Sequence, residues 1–168
     1  MTLKNDLARL VLQEQKLRFQ HFNELDAWDL GSRLRAAAVA RNLPLVIDIR
    51  LSGRPLFYCA LPGTDADNPE WVRRKANVTQ RYYKSSYRFG LEMLEKGATL
   101  GIERGVEPID FATHGGSFPI YIEGTGCVGA ITVSGVPQRD DHGFVVEVLC
   151  DYLGHPHGEL ALGPETLA

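Results

Sequence analysis

Long apolar runs are missing from this sequence of 168 residues, and no stretch approaches the roughly 18 apolar residues that a membrane-spanning helix needs. The N-terminal stretch MTLKNDLARLVLQEQKLRFQ also lacks the uninterrupted apolar core of a secretory signal, because acidic and amide side chains recur through it. We therefore expect a cytoplasmic protein with no membrane partner.

Cysteine is scarce as well. The three cysteines, Cys59, Cys127 and Cys150, are far apart and lie in apolar stretches. Neither a zinc site nor a thioredoxin-like redox motif has this spacing, since both place two cysteines close together in a C-x-x-C pattern. We expect buried free thiols.

An excess of positive charge is also absent. The chain has 18 Lys and Arg against 21 Asp and Glu, a formal net charge of −3. A protein that holds nucleic acid through its overall field is usually strongly basic, and no aromatic platform or reader motif accompanies the local basic run, so we predict no nucleic-acid partner. Apolar residues make up 44% and charged residues 23%, which is typical of a globular protein. The length fits one domain over residues 1–168.

Periodicity predicts the elements of that domain. Apolar residues at helical spacing predict helices at about 5–18, 26–42 and 139–153, and a helical region follows the turn-rich stretch PGTDADNPE at about 71–97. Alternating residues predict two β-hairpins, one from 45–51 with 56–61 and one from 118–123 with 128–133. The fold class is α+β: a single domain with a mainly antiparallel sheet of two hairpins flanked by helices, strand 128–133 being central. The tail 154–168 is expected to be a loose end.

The second hairpin begins with the sequence THGGSF, in which His114 precedes Gly115 and Gly116. Two adjacent glycines let backbone amides approach an anion, so this motif and Phe118 are candidates for a ligand pocket. The alternative is that the glycines only turn the chain into the sheet, with His114 bonded to a neighbouring backbone group.

A basic run lies on the third helical region. Arg73, Arg74 and Lys75 are candidates to hold a carboxylate or phosphate, because guanidinium forks and surplus positive charge attract planar anions. The alternative is a solvated helix face with ion pairs between subunits. The run continues with Arg81, Lys84 and Arg88.

The stretch VSGVPQRDDH opens the last helix but matches no nucleotide-binding loop. Asp140, Asp141 and His142 are adjacent, whereas a metal site on one helix needs ligands three or four residues apart. We therefore predict no metal site, and we expect both acids to act through the positive end of the helix dipole.

Three segments carry a family resemblance: IDIRLSGRPLFYCALPGTDADNPEWVRRKANV, SSYRFGLEM and HGGSFPIYIEGTGCVGAITVSGVPQRDDH. They resemble the UPF0303 group of the haem-degrading, HbpS-like and GlcG-like superfamily, also known as DUF336, most strongly over residues 45–153. The resemblance implies a compact domain with a profilin-like layout that forms homo-oligomers, and some relatives bind haem or a corrinoid-related partner. It assigns no iron ligand to the GGSFPI stretch.

Two classes of function follow. The first is a small-ligand site at a subunit boundary, built from the HGG motif, Phe118, the basic helix and the start of the last helix, which binds haem or another anionic ligand. The second is a non-catalytic oligomeric scaffold or adaptor for protein partners. The sequence contains no nucleophile elbow and leaves open whether a reaction is catalysed. Candidates for an axial iron ligand are His114, His142, Tyr82, Tyr83 and Tyr87.

Overall fold

A computed structural model of the chain describes residues 2–164. Over this range four strands and six α-helices follow one another, and no helix there is long and apolar enough to cross a membrane. In chain order the elements are α1 (Leu3–Lys16), α2 (Glu24–Ala40), β1 (Val46–Leu51), β2 (Arg54–Ala60), α3 (Asp67–Tyr82), α4 (Ser86–Glu95), β3 (Ser117–Ile122), β4 (Gly126–Ser134), α5 (Gln138–Leu153) and α6 (His157–Leu160).

The strands form one antiparallel sheet in the order β2-β1-β4-β3. Each predicted hairpin is present, and the two join where β1 pairs with β4. The predicted fold class is therefore confirmed, and β4 is central as expected. The first hairpin turns through Ser52 and Gly53, which both have positive φ, a conformation that suits tight hairpin turns.

The sheet has a helix layer on each side. Ile47, Ile49, Ile131 and Val133 are fully buried in one core with side chains of α2 and α5, and this burial is the main force holding the layers together. The residues that alternate with them on β4, Thr132 and Ser134, are buried too, and α3 packs against β3 and β4. A polar layer of the sheet thus lies under α3.

Helix boundaries differ from the prediction in two places. The predicted helical region 71–97 is two helices, because Tyr83 adopts a left-handed conformation with φ +58° and Ser85 then caps α4 by accepting a hydrogen bond from the amide of Arg88. The first of the two begins at Asp67, inside the stretch predicted as a turn. Helix α2 begins at Glu24, two residues before the predicted start at residue 26, because a capping box joins Asn23 to Asp26.

The tail is not loose as far as residue 164. Leu160 of α6 is buried, and its carbonyl accepts a hydrogen bond of 2.7 Å from the Gln13 side chain of α1. The carbonyl of Gly163 accepts a bond of 2.7 Å from Arg139. These contacts correct the expectation up to residue 164, and residues 165–168 lie outside the described part of the chain.

Candidate functional site

A depression of about 260 Å³ lies where the start of α3, the loop before β3 and the loop between β4 and α5 meet. We name it the His114 pocket. Asn68, Trp71 and Lys75 share a face of α3 because they are spaced by three and four positions. Its main side chains are Asn68, Trp71, Lys75, His114, Gln138 and Asp141.

The floor of the pocket is a buried ion pair. Lys75 Nζ lies 2.8 Å from Asp141 Oδ2, and the two side chains are 3% and 2% exposed. Lys75 also donates to the carbonyl oxygen of Val133 at 3.0 Å. Burial lowers the pKa of the Lys75 amine, while the facing carboxylate opposes that shift. Lys75, predicted as a site residue from its basic run, thus reaches the pocket from inside the protein.

Asp141 has a different role from the one predicted. Its Oδ1 accepts a hydrogen bond of 3.1 Å from the amide of Val136, and the amide of Gly135 contributes a second bond to the carboxylate. Asp141 does lie in the first turn of α5, as expected, but its side chain is turned inward and pairs with Lys75, which the sequence did not predict. Its neighbour Asp140 stays exposed at the helix start.

The two glycines of the HGG motif meet different demands. The amide of Gly115 donates to Gln138 Oε1 at 3.2 Å, and a Cβ on Gly115 would collide with the backbone carbonyl of Gln138. Gly116 has φ +129°, and a Cβ there would lie 2.7 Å from Lys75 Nζ. The glycines therefore do turn the chain, and Gly116 also makes room for the buried ammonium group.

His114 stands at the mouth of the pocket with an exposed side chain. Its ring meets the Trp71 ring edge to face, with centroids 4.9 Å apart. Partial burial, and then the positive charges of Lys75 and Arg74, lower the pKa of His114. The lowered pKa favours the neutral imidazole, the form that can bind a metal ion or share a hydrogen bond.

A second depression of about 370 Å³ also has His114 in its wall. We name it the apolar groove. Arg74 lies at this groove, with its guanidinium carbon 5.0 Å from the Trp71 ring centroid, and it donates long hydrogen bonds to the carbonyls of Pro108 and Phe111. The apolar side chains of the groove are those of Met93, Leu94, Leu100, Pro108 and Phe111.

Two of the candidate residues lie elsewhere. Arg73 points away from the pocket and pairs with Glu70 and Asp110, because adjacent helix residues are about 100° apart. Phe118 is 1% exposed inside the core, since the pleat of β3 turns its side chain towards α5. Neither is among the lining residues of the described cavities.

The rest of the basic run is largely paired within the chain. Lys84 and Arg88 both contact Glu92, and Arg88 also contacts Glu14 at 2.6 Å. Arg81 donates to the carbonyl of Arg104 at 3.1 Å. These bonds fasten α4 to α1, and α3 to the loop after α4, so this part of the run has a structural role.

The five candidates for an iron ligand differ in how exposed their side chains are, and a buried side chain is not accessible to a ligand. His142 is completely buried, its Nε2 is 2.8 Å from Gln13 Oε1, and burial lowers its pKa to about 3. Tyr82 stacks on Phe89, and Tyr87 is 3% exposed. Tyr83 is 63% exposed but is not among the residues of the described cavities. His114 combines an exposed ring with a place on three of the described cavities.

Sequence reasoning included the start of the last helix in the site but did not single out Asn68, Trp71, Gln138 or Asp141 as site residues. A partial signal was present, since Trp71 and Lys75 share a helix face at i and i+4. Of the three cysteines, Cys150 is buried as expected, whereas Cys59 and Cys127 are partly exposed. The described residues contain no group of three or more His, Cys, Asp or Glu side chains placed to hold a metal ion.

Comparison with known sequences gives a consistent result. The profile of the family described as "Haem degrading protein HbpS-like" matches residues 22–150. A UPF0303 protein of Sinorhizobium medicae is 52% identical over 162 residues, covering 96% of this chain and 99% of the relative. A UPF0303 protein of Acidobacterium capsulatum is 53% identical over 154 residues, covering 92% and 93%.

Solved structures agree with the fold. The crystal structure of the Ybr137w protein matches with a TM-score of 0.78 and 30% identity, over 88% of this chain and 87% of that one. The crystal structure of HbpS matches with a TM-score of 0.63 and 17% identity, over 82% and 94%. A PduOC structure described as a haem complex matches with a TM-score of 0.64 and 19% identity, over 77% and 92%.

Proposed function

We propose that this chain, which belongs to the HbpS-like family of haem-degrading proteins, binds a small anionic ligand at the His114 pocket and the apolar groove, with haem as the first candidate. The observation that carries the proposal is the position of His114, whose exposed imidazole lines both the His114 pocket and the apolar groove. Together the cavities offer a tract in the range of about 300 to 1,000 Å³ that is typical of small-molecule sites.

The residues present fit haem in three respects. A neutral imidazole can ligate haem iron, and His114 would be the residue that holds it. The ring needs apolar contacts, and the groove provides Met93, Leu94 and Leu100. The propionates need cations or hydrogen-bond donors, and Arg74 lies beside the groove. The iron supplies the redox and ligand-binding chemistry, while this chain holds and orients the group.

We further propose that the site lies at a boundary between copies of this chain. Leu94, which lines the groove, is 67% exposed, and Ile109, next to the lining residue Pro108, is 74% exposed. A second subunit would cover these apolar side chains and close the groove over its ligand. We place the protein in the cytoplasm, in keeping with its free thiols.

The alternative function is an oligomeric scaffold or adaptor for protein partners. It is supported by exposed apolar side chains that line none of the described cavities. The chief ones are Leu25, which is 81% exposed, and Trp28, which is 67% exposed, both on α2. On this reading the groove takes part in assembly alone and binds no small molecule.

Haem titration decides between the two. Wild-type protein is expected to give a sharp Soret band that saturates at a stoichiometric ratio. His114→Ala should weaken binding at least tenfold and leave the melting temperature within a few degrees of wild type, because its side chain is exposed. His21→Ala, which removes an exposed histidine paired with Asp26, is the control and should bind as wild type does. Broad absorption without saturation in wild-type protein would favour the scaffold.

A further inference from the structure

We infer that the inner end of the His114 pocket is a subsite for one carboxylate group, bound by Lys75, Gln138 and Asn68. The inference rests on the proposed function, because it concerns the same site, and it names the ligand chemistry. Two sources share that chemistry: a propionate arm of haem, or a free carboxylic acid of a few carbon atoms.

The first step is the donor count at Lys75. An ammonium group has three N–H donors. Two of them have acceptors within residues 2–164, namely Asp141 Oδ2 and the carbonyl of Val133. The third remains for the pocket that Lys75 lines, in a side chain that is 97% shielded from water by the protein. A buried donor without an acceptor is costly, so an acceptor in the pocket stabilises this arrangement.

The second step is the orientation of two amides at the rim. Gln138 Oε1 accepts from the amide of Gly115, and Asn68 Oδ1 accepts from the amide of Asp65 at 2.9 Å. Because the oxygen of each side-chain amide already accepts a backbone hydrogen bond, its NH2 group remains available to donate to a ligand. Asn68 Nδ2 makes only a long contact of 3.5 Å with Ser134 Oγ, and Gln138 Nε2 has no partner among the described residues. Both side chains line the pocket.

The third step concerns acceptors and charge. Both oxygens of Asp141 already accept hydrogen bonds, one from Lys75 and the other from the backbone. The Asp141 carboxylate is therefore not free to bind a further cation. The floor is therefore a neutral pair that presents a spare donor, and Arg74, which packs on the Trp71 ring from the side of the apolar groove, adds positive charge nearby. This combination suits a single planar carboxylate, which accepts several hydrogen bonds, better than it suits a multiply charged phosphate.

Size limits the ligand further. A volume of about 260 Å³ is open to solvent and adjoins the groove through His114. A water molecule takes roughly 30 Å³, so the subsite has room for a short acid or one side arm of a larger ligand, but not for a whole tetrapyrrole ring. A haem in the groove would reach the subsite with a propionate.

The test compares haem with haem dimethyl ester, which has the same ring and iron but no carboxylate. Wild-type protein is expected to bind haem at least tenfold more tightly than the ester. Gln138→Met keeps the length of an exposed side chain and removes both its donor and the oxygen that accepts from the Gly115 amide. It should weaken haem binding about five- to tenfold, and unchanged ester binding shows that the HGG motif is not disturbed. Gln138→Glu, which adds a negative charge at the rim, should weaken haem binding further. Gln15→Met, an exposed glutamine of α1, is the control.

A second assay tests the free acid. Trp28→Phe leaves Trp71 as the single tryptophan of the chain, so its fluorescence reports on the pocket. Titration with malonate should change this signal with saturation, dimethyl malonate should not, and Gln138→Met should shift the midpoint at least fivefold. Haem discrimination alone identifies the propionate as the occupant, and malonate binding alone identifies the free acid.

The outcomes separate the subsite from the proposed function. If haem and its ester bind equally well, both depend on His114, and malonate has no effect, the haem site stands and the carboxylate subsite is wrong. If neither haem nor the ester binds but malonate does so through Gln138, the subsite stands and haem is not the ligand. If no probe binds, or Gln138→Met changes nothing in either assay, the subsite is overturned.

Discussion

Lys75 Nζ lies 2.8 Å from Asp141 Oδ2, and α3 and α5 hold the two charges together almost completely out of contact with solvent. The pair joins residues 66 positions apart in the sequence. Because a buried charge without a partner is far more costly than a paired one, this contact fixes how the two helices meet at the His114 pocket. Four predictions follow, two from this pair and its surroundings and two from other parts of the fold.

Removing one partner of the pair should be strongly destabilising. Asp141→Asn leaves the Lys75 ammonium without its counter-charge, and we expect the free energy of unfolding to fall by about 3 to 5 kcal/mol. Asp140→Asn, at the exposed neighbouring position, loses only a favourable interaction with the helix dipole, worth about 0.3 to 1 kcal/mol. Urea unfolding of the two variants measures the difference.

The double variant Lys75→Met with Asp141→Leu completes this comparison. Its cost should be smaller than the sum of the two single substitutions, because it leaves no unpaired charge. Equal and small costs for Asp140→Asn and Asp141→Asn would contradict a buried pair and restore the helix-start role for both acids.

Gly116→Ala should cost more than the strain of its backbone conformation. At φ +129° any L side chain is disfavoured, and here the new Cβ would also lie 2.5 Å from the Val133 carbonyl oxygen and 2.7 Å from Lys75 Nζ. Gly124→Ala is the matched control, because Gly124 also has positive φ but has nothing within 4 Å of a Cβ. Thermal unfolding should place Gly116→Ala clearly below Gly124→Ala, and coinciding melting temperatures would count against the close packing at Lys75.

His142 should make stability fall as the pH is lowered. Burial lowers its pKa to about 3 in the folded protein, whereas a histidine in the unfolded chain takes up a proton below about pH 6.5. Between pH 6.5 and about pH 3 the unfolded state therefore binds one more proton than the folded state. The contribution of His142 to the free energy of unfolding is complete above pH 6.5 and is lost as the pH falls below it. The expected loss is about 1.4 kcal/mol for each pH unit.

His142→Gln isolates this contribution, since glutamine can still bond to Gln13 and does not titrate. Unfolding free energies measured between pH 7 and pH 4 should fall more steeply for wild type than for the variant. Parallel pH profiles would mean that His142 is already protonated, or accessible to water, in the folded protein.

Assembly is the fourth prediction. Light scattering at micromolar concentration should give a multiple of the chain mass of 18.6 kDa, because large apolar side chains such as Trp28 and Leu94 are each 67% exposed in the single chain. Trp28→Lys and Leu94→Lys test the two surfaces separately, and dissociation by Leu94→Lys would place the interface beside the groove. A mass of one chain for the wild type would exclude the homo-oligomer.

Sequence periodicity was sufficient for the architecture. Apolar residues alternate with others at Leu45, Ile47, Ile49 and Leu51, and again in the second hairpin. This alternation indicates strands, because successive side chains of a strand point to opposite faces of the sheet. Helical spacing located α1, α2 and α5 within a few residues, whereas α6 lies in the tail that was predicted to be loose. The break at Tyr83 was not visible, because nothing in the local pattern of α3 and α4 marks a left-handed residue between two helical segments.

Only part of the candidate site could be predicted from the sequence. The HGG motif is local, and adjacent glycines indicate an unusual backbone whatever surrounds them, so His114, Gly115 and Gly116 could be singled out from the sequence alone. Asp141 could not be, because an acid in the first turn of a helix favours that position whether it faces water or the core. Its pairing with Lys75, and the place of Gln138 beside Gly115, depend on how α5 packs on the sheet. Local conformation is determined by neighbours along the chain, whereas the partner of a buried charge is determined by whichever distant element excludes the water around it.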